Sequence, residues 1–279
     1  MELLFTSDLH GLRVLYQQLG DLVRARPPAV LILGGDLLPD GDRGFPYASV
    51  RDYIRGEFRD FLVVLRREQP ATAVLAVLGN HDWTFTPEEL GHLAGEGLLR
   101  MLRHDEFTTV GEWGFLGLAY CPPAPYWIKD FERRDLASDG ASEYGGYVWS
   151  REKQRIIPAI GAEYFGGRES LEELLGQAPV FSGPWVLAAH APPAGTHLEL
   201  LQNGQPVGSR AVRRFIERRQ PALSLHGHLH ESPLASGHCT DRIGRCLCVN
   251  PGQTAERLCA VRWDSSAPER IEHSLNWRA

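Results

Sequence analysis

Five short stretches of this chain carry side chains of the kinds that bind metals. They are Asp8-Leu9-His10, Gly35-Asp36, Gly79-Asn80-His81-Asp82, His190, and Gly227-His228-Leu229-His230. Singly, each is weak, because Asp-x-His and Gly-Asp recur by chance and a lone histidine is usually structural. Gly-His-Leu-His is stronger, since alternation puts both imidazoles on one side of an extended segment. A buried Asn80 beside a histidine also requires partners. Carboxylate, amide oxygen and imidazole together suit Mn, Fe, Co or Zn better than Ca. No thiolate belongs to the set, which argues against a structural zinc knot.

The elements that must position these groups follow one pattern. Glu2 to Thr6 reads as a strand ending at Asp8 and His10, and Leu31 to Leu33 as a buried strand delivering Asp36. Between them Leu12, Leu15, Leu19 and Val23 recur at helical spacing, which makes a β-α-β unit with parallel pairing. Val50 to Arg67 predicts a helix, and Ala73 to Leu78 a strand that stops on Gly79-Asn80-His81-Asp82. Pro87 to Arg103 predicts another helix, and Phe107 to Tyr120 alternates as strands with glycine turns. Cys121 to Trp127 is a proline-rich loop. Lys129 to Gly167 has no strong period and is expected to be an irregular insertion, with a helix around Arg151 to Ile160 and a possible role as a lid. Strands at Trp185 to Ala189 and Ala222 to Leu225 then present His190 and the His228/His230 pair. In an open α/β sheet, ligands bind outside the carboxyl ends of the strands, so all five stretches should converge on one crevice.

Composition narrows the function classes. With 279 residues, 43% hydrophobic and 23% charged, the chain is ordinary for a globular enzyme, expected as one domain over residues 1–279. A net charge of −6 disfavours a duplex nucleic acid partner. No apolar run approaches the roughly 20 residues that span a bilayer. Met1 to Phe5 lacks a basic leader, and five cysteines without framework spacing fit a reducing cytoplasm.

In order and spacing, the series from Asp8 to His230 resembles the calcineurin-like metallophosphoesterase superfamily. The resemblance implies an α/β fold in a four-layer αββα sandwich, two mixed β-sheets flanked by helices, with a dinuclear metal site at the strand ends. It implies one metal held by Asp8, His10, Asp36 and His230, and a second by Asp36, Asn80, His190 and His228, with Asp36 bridging. The two ions would be Mn, Fe, Zn or Co, with Mn and Fe foremost. His81 would contact the phosphate or protonate the leaving oxygen, and Asp82 would orient His81. The implied reaction is phosphoester hydrolysis, with a metal-bridging hydroxide attacking phosphorus in line.

The substrate is less sharply written. Protein phosphatases of the superfamily read Gly-Asp-x-x-Asp-Arg-Gly, whereas here Asp42-Arg43-Gly44 comes three residues late and Asp82 replaces a glutamate. The Gly-Asn-His-Asp stretch looks more like the phosphodiesterase side, acting on a small phosphoester such as a nucleotide. Arg43, Trp83, Tyr126, Trp127 and His197 are the candidate substrate contacts. The alternatives are a phosphomonoesterase or protein phosphatase, and a non-catalytic metal-binding scaffold.

Overall fold

The computed structural model describes residues 1–42 and 45–275. The chain begins with β1 (Glu2–Thr6), α1 (Arg13–Ala25) and β2 (Val30–Gly34), the predicted β-α-β unit with β1 and β2 parallel. Next come α2 (Pro46–Tyr53) and α3 (Arg59–Glu68), joined without a break by one π-helical turn at Ile54–Phe58. β3 (Ala73–Val77), α4 (Thr86–Gly95) and β4 (Arg100–Met101) complete the first half. The helix expected over Pro87 to Arg103 thus stops early, because Gly97 takes a φ of +73° that releases the chain into β4.

The second half opens with the hairpin β5 (Thr108–Val110) and β6 (Trp113–Leu118). A second hairpin, β7 (Gly146–Ser150) with β8 (Arg155–Ala159), stands where a helix was expected around Arg151 to Ile160. Val148, Trp149, Ile156 and Ile157 favour the extended state, and Pro158 would break a helix. The remaining elements are α5 (Gly161–Phe165), α6 (Leu171–Gly176), β9 (Trp185–Ala189), α7 (Arg210–Arg219) and β10 (Leu223–Leu225). They are followed by α8 (Ser232–Ser236), β11 (Thr240–Ile243), β12 (Cys246–Val249), β13 (Ala260–Asp264) and β14 (Ile271–His273).

Two six-stranded mixed sheets result, in the orders β14-β13-β1-β2-β3-β4 and β11-β12-β10-β9-β6-β5. Strand alternation decides what each face meets. Leu3, Phe5, Ile32, Leu75 and Val77 of the first sheet pack against Phe115, Val186, Ala188, Leu225 and Val249 of the second. Their neighbours turn outward: Leu4, Leu31, Leu33 and Val74 pack with residues of α1 to α4, and Leu116, Leu118 and Leu187 with residues of α6 and α7. This is the four-layer αββα sandwich. Each buried Leu, Ile or Phe side chain contributes about 1.5–3 kcal/mol relative to exposure, so the interlocked faces hold the strand ends in fixed register. β1, β2 and β3 are mutually parallel, as are β6, β9 and β10, so each set ends its strands on a common edge.

Candidate metal centre

The first two motifs are locked together by backbone. Beyond the strands, Asp8 N–H donates to Gly35 O at 2.9 Å, His10 N–H to Asp36 O at 2.8 Å, and Gly11 N–H to Leu37 O at 3.0 Å. The pairing of β1 with β2 therefore continues into the loops that bear the carboxylates. Holding the side chains there requires unusual backbone. Among the described residues, six non-glycine residues have positive φ, and four of them are Asp8 (60°), His10 (45°), Asp36 (50°) and His228 (68°). Such conformations cost of order 1–3 kcal/mol each, a strain that the two packed sheets enforce and that concentrates at functional sites.

Asp8, His10, Asp36 and His230 offer ligand atoms within 4.8 Å of one another. His230 Nε2 lies 3.1 Å from Asp8 Oδ1 and 3.2 Å from His10 Nε2. The backbone N–H of His228 donates to Asp8 Oδ1 at 3.0 Å, and that of His81 to Asp36 Oδ1 at 2.8 Å. Asp36 also turns Oδ2 toward His190 Nε2, 3.2 Å away. His228 Nδ1 meets Asn80 Oδ1 at 2.7 Å. Asp36 therefore stands between two clusters of candidate ligands: Asp8, His10 and His230 on one side, and His190, His228 and Asn80 on the other.

His190 supplies the test of whether these residues fit a metal. Its ring is fully buried, and Nδ1 donates to Gly34 O at 2.8 Å. That leaves Nε2 as a lone pair, without a hydrogen-bond partner, facing two carboxylates. Acceptors facing one another in a buried space call for a cation. In the absence of a metal ion a proton takes that place. Burial opposes a charge on His190, but Asp36 and Asp8 outweigh it and raise its pKa to about 9. Burial likewise opposes ionisation of Asp8, yet His230 and His190 bring it down to about 2. His228, by burial and the neighbouring His190, is pushed down to about 3, which keeps its ring neutral as metal coordination requires. Gly79 leaves the space for this: a Cβ there would strike Asp36 Oδ1 and His190 Nε2.

The partner of His81 differs from expectation. Asp82 is fully buried and turns inward, accepting from Gly79 N–H at 2.9 Å and Leu38 N–H at 3.3 Å. It staples the Asn80 loop to the Asp36 loop and does not reach the His81 ring. Burial, with Asp36 close by, pushes its pKa up to about 7. The carboxylate on His81 is Asp40, whose Oδ1 lies 3.0 Å from Nδ1. Asp40 also accepts from the hydroxyl of Tyr126, whose ring stacks on His81 with centroids 3.7 Å apart. Burial works against a protonated His81, but Asp36 and Asp40 prevail and raise its pKa. The only sequence signal for Asp40 was its place four residues beyond Asp36, in a Gly/Pro/Asp loop.

Of the candidate substrate contacts among the described residues, Tyr126 stacks on His81 and donates to Asp40. Trp83 is completely buried, its indole N–H donating to Asp40 O at 2.8 Å, so it is a core residue that braces Asp40. Trp127 packs edge-on against Trp83 and donates to the Tyr126 hydroxyl at 3.0 Å. His197 points elsewhere, to Asp241 at 3.0 Å and the ring of His238. Arg43 lies outside the described residues. His226 is sealed in the core by Ser224 and the carbonyls of Ala189 and Ala191. Asn250 braces the His228/His230 loop by donating to Leu229 O at 3.2 Å.

The family profile of calcineurin-like phosphoesterases matches residues 1–232. The chain belongs to that family. No curated protein sequence matches it. Among solved structures it is similar to TT1561 of Thermus thermophilus, at 18% identity and TM-score 0.58, covering 98% of this chain and 97% of the other. Another solved structure, 15% identical, aligns over 98% of both chains with TM-score 0.60. A dimetal phosphatase from Danio rerio is 13% identical, TM-score 0.51, covering 94% of this chain and 92% of that one. At these identities the likeness is one of fold. Among the described residues, no helix is long and apolar enough to cross a membrane.

Proposed function

We propose that the chain hydrolyses small phosphodiesters at a dinuclear centre. Asp8, His10, Asp36 and His230 would hold one ion, and Asp36, Asn80, His190 and His228 the other. When bound, two such cations polarise phosphoryl oxygens and acidify water. The chain's own residues do the rest. The Asp40 carboxylate keeps a proton on His81 and fixes Nδ1, leaving Nε2 to give that proton to the departing oxygen. Tyr126 stacks on the ring and holds Asp40, so the acid is aimed before substrate arrives.

One observation carries the preference for diesters. The cleft in front of His81, about 690 Å³, is lined by His10, Pro39, Asp40, Gly41, Asp42, Ser49, His81 and Tyr126. The described lining residues include two carboxylates, Asp40 and Asp42. A diester brings one charge fewer than a monoester dianion past those carboxylates, and a second organic group to fill the cleft beside Pro39 and Tyr126. A nucleotide diester fits that description, and a panel of linear and cyclic nucleotides is the natural screen. The five free, buried cysteines suit a reducing cytoplasm.

The direct test is hydrolysis of bis-p-nitrophenyl phosphate against p-nitrophenyl phosphate by the manganese-, iron-, cobalt- or zinc-loaded chain. The diester should turn over faster. His81→Ala should keep its metal and lose about 10²–10⁴ in kcat. Turnover of the monoester alone overturns the preference, and no turnover of either with both ions bound overturns hydrolysis in favour of a scaffold.

A further inference from the structure

Cys121 lies on the loop that follows β6, and β6 runs parallel to β9, whose end carries His190. The backbone N–H of His190 donates to Leu118 O at 2.9 Å, so the two strand ends sit side by side. Cys121 is completely buried, and its backbone is held from both sides: N–H to Phe131 O at 2.9 Å, and O from Arg133 N–H at 3.0 Å. The start of the 129–167 insertion therefore fixes where this thiol points. Its Sγ lies with ring nitrogens of His190 and His228, all within 4.8 Å of one another. A second observation marks the same spot as a ligand site: His190 Nε2, fully buried, has no hydrogen-bond partner. The other four cysteines are in none of the candidate metal groups among the described residues.

We propose that Cys121 is a thiolate ligand of the second metal position, beside His190, His228, Asn80 and the shared Asp36. This rests on the reading that the cluster holds metal. When the ion binds, a metal–sulfur bond forms and the thiol proton leaves to solvent. Sulfur with imidazole favours zinc, iron or cobalt over manganese or magnesium, so the two positions of this centre differ in metal preference. The first position, with two carboxylates and two imidazoles, stays permissive. The insertion thereby acquires a role in the chemistry, because it sets the sulfur in place.

Cobalt reconstitution of the metal-stripped chain separates the possibilities. Two cobalt ions per chain, with an intense thiolate-to-cobalt charge-transfer band in the near ultraviolet, is the expected result. Cys121→Ser should abolish that band while keeping the visible ligand-field bands, and should lower the preference for zinc over manganese on the order of tenfold or more. Zinc-edge X-ray absorption of the wild-type chain needs no variant to fold, and should show a sulfur neighbour at about 2.3 Å. Two bound ions with neither the band nor the sulfur neighbour overturn the thiolate ligand and leave the dinuclear centre standing. A folded wild-type chain that binds no cobalt overturns the centre itself, and the proposal with it.

Discussion

Asp40→Asn is the perturbation that isolates what the structure adds to the His81 assignment. The change keeps the shape of the side chain and leaves the backbone carbonyl of Asp40 free to accept from Trp83 at 2.8 Å. It removes one negative charge 3.0 Å from His81 Nδ1. A hydrogen bond to a charged group contributes about 1.5–3 kcal/mol and a neutral one about 0.5–1.5, so the exchange should cost His81 about 1–1.5 kcal/mol. Above the His81 pKa of both proteins the protonated fraction, and with it kcat, then falls about tenfold. The sign in pH is fixed by the cause. Asp40 is one of the charges that raise the His81 pKa, so its loss lowers that pKa. An acid form that must be protonated then disappears at lower pH, and the falling alkaline limb of the kcat profile moves toward acid. Rates across pH, with metal content measured on the same samples, read this directly. An unchanged alkaline limb with both metals retained would refute the role of Asp40 on His81.

Two further outcomes rest on close contacts elsewhere in the chain. Gly79→Ala places a Cβ against Asp36 Oδ1 and His190 Nε2, so metal affinity should fall by at least tenfold while the folded state survives; isothermal titration measures it, and unchanged affinity contradicts the close packing. Lys129 and Glu132 form a fully buried pair at 2.8 Å, so Lys129→Met should destabilise by about 3–5 kcal/mol in urea unfolding. The pH trend is equally specific: burial raises Glu132 from 4.5 to about 7 despite Lys129, so its contribution is full below pH 4.5 and declines as pH rises through about 7. Without Lys129 that decline should extend to higher pH, and a parallel pH profile for the two proteins would contradict it.

The sandwich and the convergence of its motifs were legible because each motif ends an apolar run. Leu31 to Leu33, Ala73 to Leu78 and Trp185 to Ala189 read as strands from their composition, and the residues just past their carboxyl ends must lie on one edge if the strands are parallel. The contacts that escaped are non-local. Asp82 is adjacent to His81 in sequence, but the turn Gly79-Asn80-His81-Asp82 points the two side chains in opposite directions, and Asp40 reaches His81 from another loop. Cys121 stood in a proline-rich loop with no signal of its own, and only the pairing of β6 with β9 sets it beside His190. Trp83 was a candidate substrate contact by its place beside His81 and Asp82, yet the indole fills the core under Asp40. The β7–β8 hairpin was obscured by the charged Arg151-Glu152-Lys153 turn between its strands, which mimics a solvated helix face.

Asp36 is the residue on which both proposed ligand sets depend, with its carboxylate among Asp8, His10 and His230 and 3.2 Å from His190. The measurement that tests the account most directly is metal stoichiometry of the folded chain and of Asp36→Asn after equilibrium dialysis against a divalent cation. The account predicts two ions per wild-type chain and the loss of both in the variant. A wild-type chain that holds fewer than two, or a variant that gives up only one, would contradict a shared centre.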